Sequence, residues 1–208
     1  MLARVVTNVR EALSHVLWIG GGPQAGKTTL SRLLAGTWDL KAYSLDWHLS
    51  REHRLRAGPH AAAFGALSMD ERWARPSIDD LVERTVAIWE EVFALVVEDL
   101  IALPRSRTIV AEGPGAPPWL VANVISSTRQ AIFLVPTAAQ RDRVEEQRFG
   151  PGQVRRFPGI VDRSAALANV RARDAMLDGR IAASCAERGL RCEVMDATRG
   201  LDETVALI

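Results

Sequence analysis

The chain has 208 residues, a formal net charge of +1, and 48% hydrophobic and 25% charged residues, the proportions of one globular domain with a sizeable core. So even a balance leaves no electrostatic footprint for nucleic acid or an anionic membrane. The positive charge is lopsided, however: 24 arginines stand against two lysines, Lys27 and Lys41, so a lysine inside a motif is not background.

From Met1 to Ser14 the chain carries Arg4, Arg10 and Glu11 and lacks an apolar run of signal-peptide length. Short apolar runs then alternate with helical patterns, which predicts an α/β fold on a parallel sheet, with residues 1–208 as a single domain. The first strand reads Val16 to Gly20, and a helix from Gly26 to Ala35 follows a glycine-rich turn. A second strand, Ala42 to Leu45, ends at Asp46. Residues 47–75 are irregular or weakly helical, rich in Arg, His and Trp, and too long for an idle connection. From Pro76 a long helix starts, with apolar positions 78, 81, 82, 89, 92, 93, 96 and 100 on one face. Glu83, Arg84, Glu90, Glu91, Glu98 and Asp99 break it as a membrane span.

A third strand, Thr108 to Ala111, runs into Glu112-Gly113. The stiff apolar stretch Pro114 to Trp119 either walls an acceptor pocket or, the simpler reading, starts the next helix. The fourth strand, Ala131 to Val135, stops at Pro136. An Arg-rich helix covers Ala138 to Phe149, Gly150-Pro151-Gly152 breaks it, and a second runs from Asp162 to Arg188. Arg191 to Met195 forms the last strand, before a short terminal helix. Cys185 and Cys192 fit neither a disulfide framework nor a metal-ligand spacing, so reduced thiols in a soluble cytoplasmic protein are expected.

Gly21-Gly22-Pro23-Gln24-Ala25-Gly26-Lys27-Thr28 matches G-x-x-x-x-G-K-[ST] between a strand and a helix, the context that gives this motif meaning. A chance match in such a chain is on the order of one in a hundred. The glycines let successive N–H groups turn toward phosphate oxygens, and the helix N-terminus adds partial positive charge. Lys27 would reach the β- and γ-phosphates and the Thr28 hydroxyl would ligate Mg²⁺, with Thr29 beside it. ATP with Mg²⁺ is the expected pair, since no Asn-Lys-x-Asp guanine-reading motif occurs. No strand ends in an Asp-x-x-Gly switch or a catalytic Asp-Glu pair.

The order of these parts resembles the P-loop kinases of nucleosides and small metabolites, such as uridine kinase, shikimate kinase and chloramphenicol phosphotransferase. The resemblance covers the whole chain in element order, but only the phosphate loop is a specific motif. It implies a three-layer α/β/α fold with a five-stranded parallel sheet in the order 2-3-1-4-5 and right-handed crossovers. Tyr43-Ser44-Leu45-Asp46 resembles the segment whose Asp meets the acceptor hydroxyl. Val110-Ala111-Glu112-Gly113 resembles a strand end with an acidic residue near the metal. Arg141, Arg143 and Arg148 sit where such kinases carry arginines leading into a small Arg-rich lid, here expected over 148–162.

The expected catalytic set is therefore Asp46 as general base, Lys27 and Arg148, with Thr28 and Glu112 toward the metal. Arg141, Arg155 and Arg156 are the further lid arginines, although an abundant Arg is more often a paired, solvated side chain. Residues 47–75 are expected to bind the acceptor, with Trp47 stacking on a ring and Arg51 and Arg54 gripping an anionic group. Ala61-Ala62-Ala63 and Trp73 would form a small helical cap. His48 and His53, five apart, are poorly placed for one metal ion. The leading expectation is an ATP-dependent kinase acting on a small-molecule hydroxyl, with no nucleic-acid or membrane partner. A nucleotide-binding switch without phosphotransfer, or a phosphotransferase acting on a macromolecule, fits the phosphate loop equally well.

Overall fold

The computed structural model describes residues 9–150, 158–198, 203 and 205. Five strands, β1 (Val16–Gly21), β2 (Lys41–Ser44), β3 (Ile109–Glu112), β4 (Ala131–Pro136) and β5 (Arg191–Met195), form one sheet in the order β2-β3-β1-β4-β5. Every neighbouring pair is parallel. The central strands are apolar at almost every position because both faces of the sheet are covered.

Side chains alternate between two cores, as the two-residue period of a strand requires. Trp18, Ala111, Phe133 and Val135 face the helices α2 (Ile78–Ala102) and α4 (Arg163–Arg188) through Val92, Phe93, Val96, Leu100, Ile181 and Cys185. Ile19, Val110, Ile132 and Leu134 face the helix α1 (Lys27–Thr37) through Leu30 and Leu34. Burying each such Leu or Val contributes about 1.5–3 kcal/mol. The result is a three-layer α/β/α P-loop fold. No helix among the described residues is long and apolar enough to cross a membrane.

Helix ends obey local chemistry. The Ser77 hydroxyl accepts from Asp80 N–H at the start of α2. Thr137 accepts from Gln140 N–H at the start of α3 (Ala138–Phe149), and Asp162 accepts from Ala165 N–H at the start of α4. Between β2 and α2 the chain makes four short helices, Leu45–Leu49, Glu52–Arg56, Pro59–Ala66 and Met69–Trp73. β2 ends one residue earlier than its pattern suggests, and Asp46 lies in the first turn of the Leu45–Leu49 helix. The thiols of Cys185 and Cys192 are free.

Candidate functional site

Register brings the chemistry to one edge. Glu112 closes β3 opposite Ile19 on one side and Ser44 on the other, so the phosphate loop, Asp46 and Glu112 share the carboxyl end of the sheet. A cavity of about 510 Å³ opens there. Pro23, Gln24, Gly26, Lys27, Thr28 and Thr29 line one end, and Leu49, Trp73, Thr85, Trp89 and Leu177 the other. Asp46, Pro114, Arg148 and Arg173 complete the wall.

The loop is held by its surroundings. Gly26 takes a left-handed conformation (φ 88°) to deliver the chain into α1. A Cβ on Gly22 would overlap the Asp178 carboxylate, so only glycine fits the bend. Gln24, also left-handed at φ 65°, is fixed by its Nε2 donating to Glu145 Oε1 at 3.0 Å. Arg171 in turn donates to Glu145 Oε2 at 2.6 Å. Lys27, 6% exposed, donates through Nζ to the Gly22 carbonyl at 2.6 Å. Burial pushes its ammonium down to about 8, with Arg148 adding to the effect and Asp46, Glu112 and Asp174 opposing it.

The Thr28 hydroxyl donates to Glu112 Oε2 at 3.0 Å, and Glu112 is 2% exposed. Hard oxygen donors of this kind suit Mg²⁺, which takes its remaining ligands from phosphates and water. No group of three or more His, Cys, Asp and Glu that could hold a metal ion occurs among the described residues. Asp46 is open to the cavity, yet the walls strip enough water from its carboxyl to raise it above the ordinary carboxylate range. Glu112 adds to that rise, while Lys27 and Arg148 pull against it.

The segment bearing Asp46 is anchored from beneath. Asp99 on α2 accepts from the Tyr43 hydroxyl at 2.9 Å and pairs with His53 Nε2 at 2.7 Å. His53 is fully buried and stays in the protein interior, away from any metal role.

The sequence-derived residues divide. Lys27, Thr28, Asp46, Glu112 and Arg148 come together at this edge. Arg141 does not reach the cavity. Its guanidinium is bound to the Asp178 carboxylate, lies 3.7 Å from Asp174 and donates to the Pro23 carbonyl at 3.3 Å. It braces the loop instead. Arg143 donates to the Ala197 carbonyl, on the far side of α3. Arg155, Arg156 and the middle of the expected 148–162 lid, residues 151–157, lie outside the described residues.

Trp47, Arg51 and Arg54 do not line the cavity either. Trp47 is 55% exposed and stacks with Arg51, whose guanidinium carbon lies 3.6 Å from the ring centroid, while Arg54 is exposed. In the Leu45–Leu49 helix each residue turns about 100° from the last, so Leu49, one turn on, shares the face of Asp46 while Trp47 points away. The cavity wall comes from Trp73, Trp89 and Arg173. Arg173 and Asp174 could have been found: they fall on the stripe Val170, Leu177, Ile181 that α4 buries, where a solvated pair does not belong.

No protein-family model matches the chain, and no curated protein matches it. Among solved structures, an uncharacterised protein from Eubacterium ventriosum is similar at 14% identity and a TM-score of 0.42, over 92% of this chain and 94% of that one. The thymidylate kinase of Candida albicans is similar at 12% identity and a TM-score of 0.45, over 92% of this chain and 88% of that one. The fold assignment rests on the strand order and the phosphate loop, not on these likenesses.

Proposed function

We propose that the chain is an ATP-dependent kinase that transfers the γ-phosphoryl group to a hydroxyl of a small molecule. The observation that carries this reading is the position of Asp46: it lines one cavity together with Lys27 and Thr28 on the phosphate side and Trp73 and Trp89 on the other. A bare nucleotide switch has no need of a carboxylate between its phosphates and a second, aromatic-walled chamber.

In this reading the loop N–H groups and Lys27 hold the β- and γ-phosphates. Thr28 and Glu112 would hold Mg²⁺, which offsets phosphate charge when bound. Asp46 orients the acceptor hydroxyl and accepts its proton as the oxygen attacks the γ-phosphorus. The bond from that phosphorus to the β–γ bridging oxygen breaks, and ADP leaves with the electron pair. Asp46's raised carboxyl is a better proton acceptor than an ordinary one, and Lys27 beside it favours its charged form. Arg148, exposed at the end of α3 and lining the cavity, supplies positive charge to the transferred group.

The test is Asp46→Asn, with ADP release and phosphorylated product followed across a hydroxyl-compound panel. Nucleotide binding should stay near normal while transfer falls by about 10²- to 10⁴-fold. Undiminished transfer removes Asp46 from the base role, and a panel yielding only acceptor-independent hydrolysis removes the kinase reading.

A further inference from the structure

The acceptor end of the cavity has a chemistry of its own, and it narrows the acceptor; the inference rests on the kinase reading above. Beyond Asp46 the cavity continues into a recess of about 120 Å³ through Leu49, Trp73, Thr85, Trp89 and Arg173, which line both. Phe64, Leu81, Ile88 and Arg84 close its far end. The Phe64 and Trp73 rings meet edge to face, 5.3 Å apart at 79°, and present flat apolar surface to the space between them and Trp89.

Two guanidiniums interrupt that wall. Arg173, 7% exposed, lies 5.2 Å from the Trp73 centroid and spends Nε and Nη2 on Asp174 Oδ1, at 2.9 and 2.5 Å. Its Nη1 meets no acceptor among the described residues, and Asp174 already balances its charge. Arg84 differs. It donates Nη1 to the Glu71 carbonyl at 3.3 Å and lies 6.0 Å from the Phe64 centroid. No carboxylate pairs with it among the described residues, so the recess ends in an uncompensated positive charge. The remaining polar group, the Thr85 hydroxyl, already donates to the Leu81 carbonyl at 2.7 Å.

We propose that the acceptor is an aromatic hydroxy acid: an alcohol carried on a flat apolar ring, with a carboxylate on the side remote from the hydroxyl. The ring would lie between Trp73 and Trp89, the hydroxyl would face Asp46, and the carboxylate would meet Arg84 and the free Nη1 of Arg173. A sugar or polyol is disfavoured by the same walls. Its several hydroxyls would face Leu49, Leu81, Ile88 and Trp89 without partners, and unpaired buried hydroxyls cost affinity.

The experiment measures binding and turnover separately, with 4-(hydroxymethyl)benzoate, benzyl alcohol, glucose and uridine as probes. Binding is read by calorimetry on the full chain loaded with Mg²⁺ and a non-hydrolysable ATP analogue, turnover by ADP release with ATP. The acid should bind at least about tenfold more tightly than benzyl alcohol, a charge-assisted contact of modest size, and more tightly than glucose or uridine. Arg84→Gln should collapse the acid-to-alcohol ratio toward one, and Arg84→Lys should restore part of it. Stronger binding of glucose or uridine, no binding of either aryl compound, or an unchanged ratio in Arg84→Gln overturns the proposal. Arg84-dependent binding without a phosphorylated product upholds this pocket chemistry while overturning the kinase reading.

Discussion

At the phosphate end of the cavity a ligand meets main chain, and at the acceptor end it meets side chains. The loop from Gly21 to Thr28 is strung between the central strand β1 and α1, and Arg141, Glu145 (through the loop's own Gln24) and Asp178 brace it from α3 and α4. At the acceptor end Phe64 and Trp73 come from the short helices Pro59–Ala66 and Met69–Trp73, fastened to α4 by Asn169, which donates to the carbonyls of Trp73 and Ala74 at 3.1 and 2.9 Å. The other side chains come from the Leu45–Leu49 helix, α2 and α4. Backbone donors serve any nucleoside triphosphate and are set by fold. The aromatic recess is set by residue identity alone. Substitutions should therefore separate the two ends: one kind alters the use of ATP, the other the choice of acceptor.

The sharpest break should come from Lys27→Ala. Removing one preorganised donor to developing phosphate charge lowers turnover by about 10²- to 10³-fold, and steady-state kinetics with any confirmed acceptor checks it. If kcat holds and only the acceptor KM moves, the two ends are not separate. Gly22→Ala should act through the framework rather than the ligand. Its methyl collides with Asp178, which Arg141 holds in place, and overpacking of this kind costs about 1–3 kcal/mol, readable by denaturant unfolding.

The third effect is a pH dependence confined to the phosphate end. Lys27 is pushed down to about 8 in the empty protein, and bound phosphates favour its charged form. Below pH 8 the amine is already protonated and contributes no slope. Above 8, binding takes up a proton, so ATP affinity falls with rising pH by at most about tenfold per unit. Calorimetry in buffers of different ionisation enthalpy should find that uptake in wild type and not in Lys27→Ala. The smallest effect belongs to Trp47→Ala. An exposed side chain away from both ends should leave stability and acceptor KM within about 0.5 kcal/mol. A tenfold rise in KM would move the acceptor to the outer side of the Leu45–Leu49 helix.

The sheet was legible because its signal is local. The apolar runs of β1, β3 and β4 and the caps of α2, α3 and α4 are written in adjacent residues, and α3 and β5 run over the expected spans. So was the phosphate loop, whose residues are contiguous. Of the acceptor wall the sequence singled out Trp73, as part of a helical cap, but not Trp89 or Arg173, because the three come from three helices and only packing makes them neighbours. Reading outward from Asp46 along the chain selected Trp47, Arg51 and Arg54, but the Leu45–Leu49 helix turns Trp47 toward solvent, and Arg51 and Arg54 beyond it are exposed as well. Arginine abundance hid the rest: among so many arginines only the buried stripe of α4 marks Arg173, and nothing local marks Arg141 as a brace.

The scarcity of lysine has one more consequence. An ordinary lysine amine, titrating near 10.4, is less than about 1% neutral at pH 8, whereas Lys27 is close to half neutral there and opens onto the cavity. Only Lys41 shares its side-chain chemistry. In the empty protein Lys27 is thus more nucleophilic than an ordinary lysine at that pH, and bound phosphates, by restoring its charge, would quench that reactivity. The phosphate loop carries within itself a covalent reporter of its own occupancy.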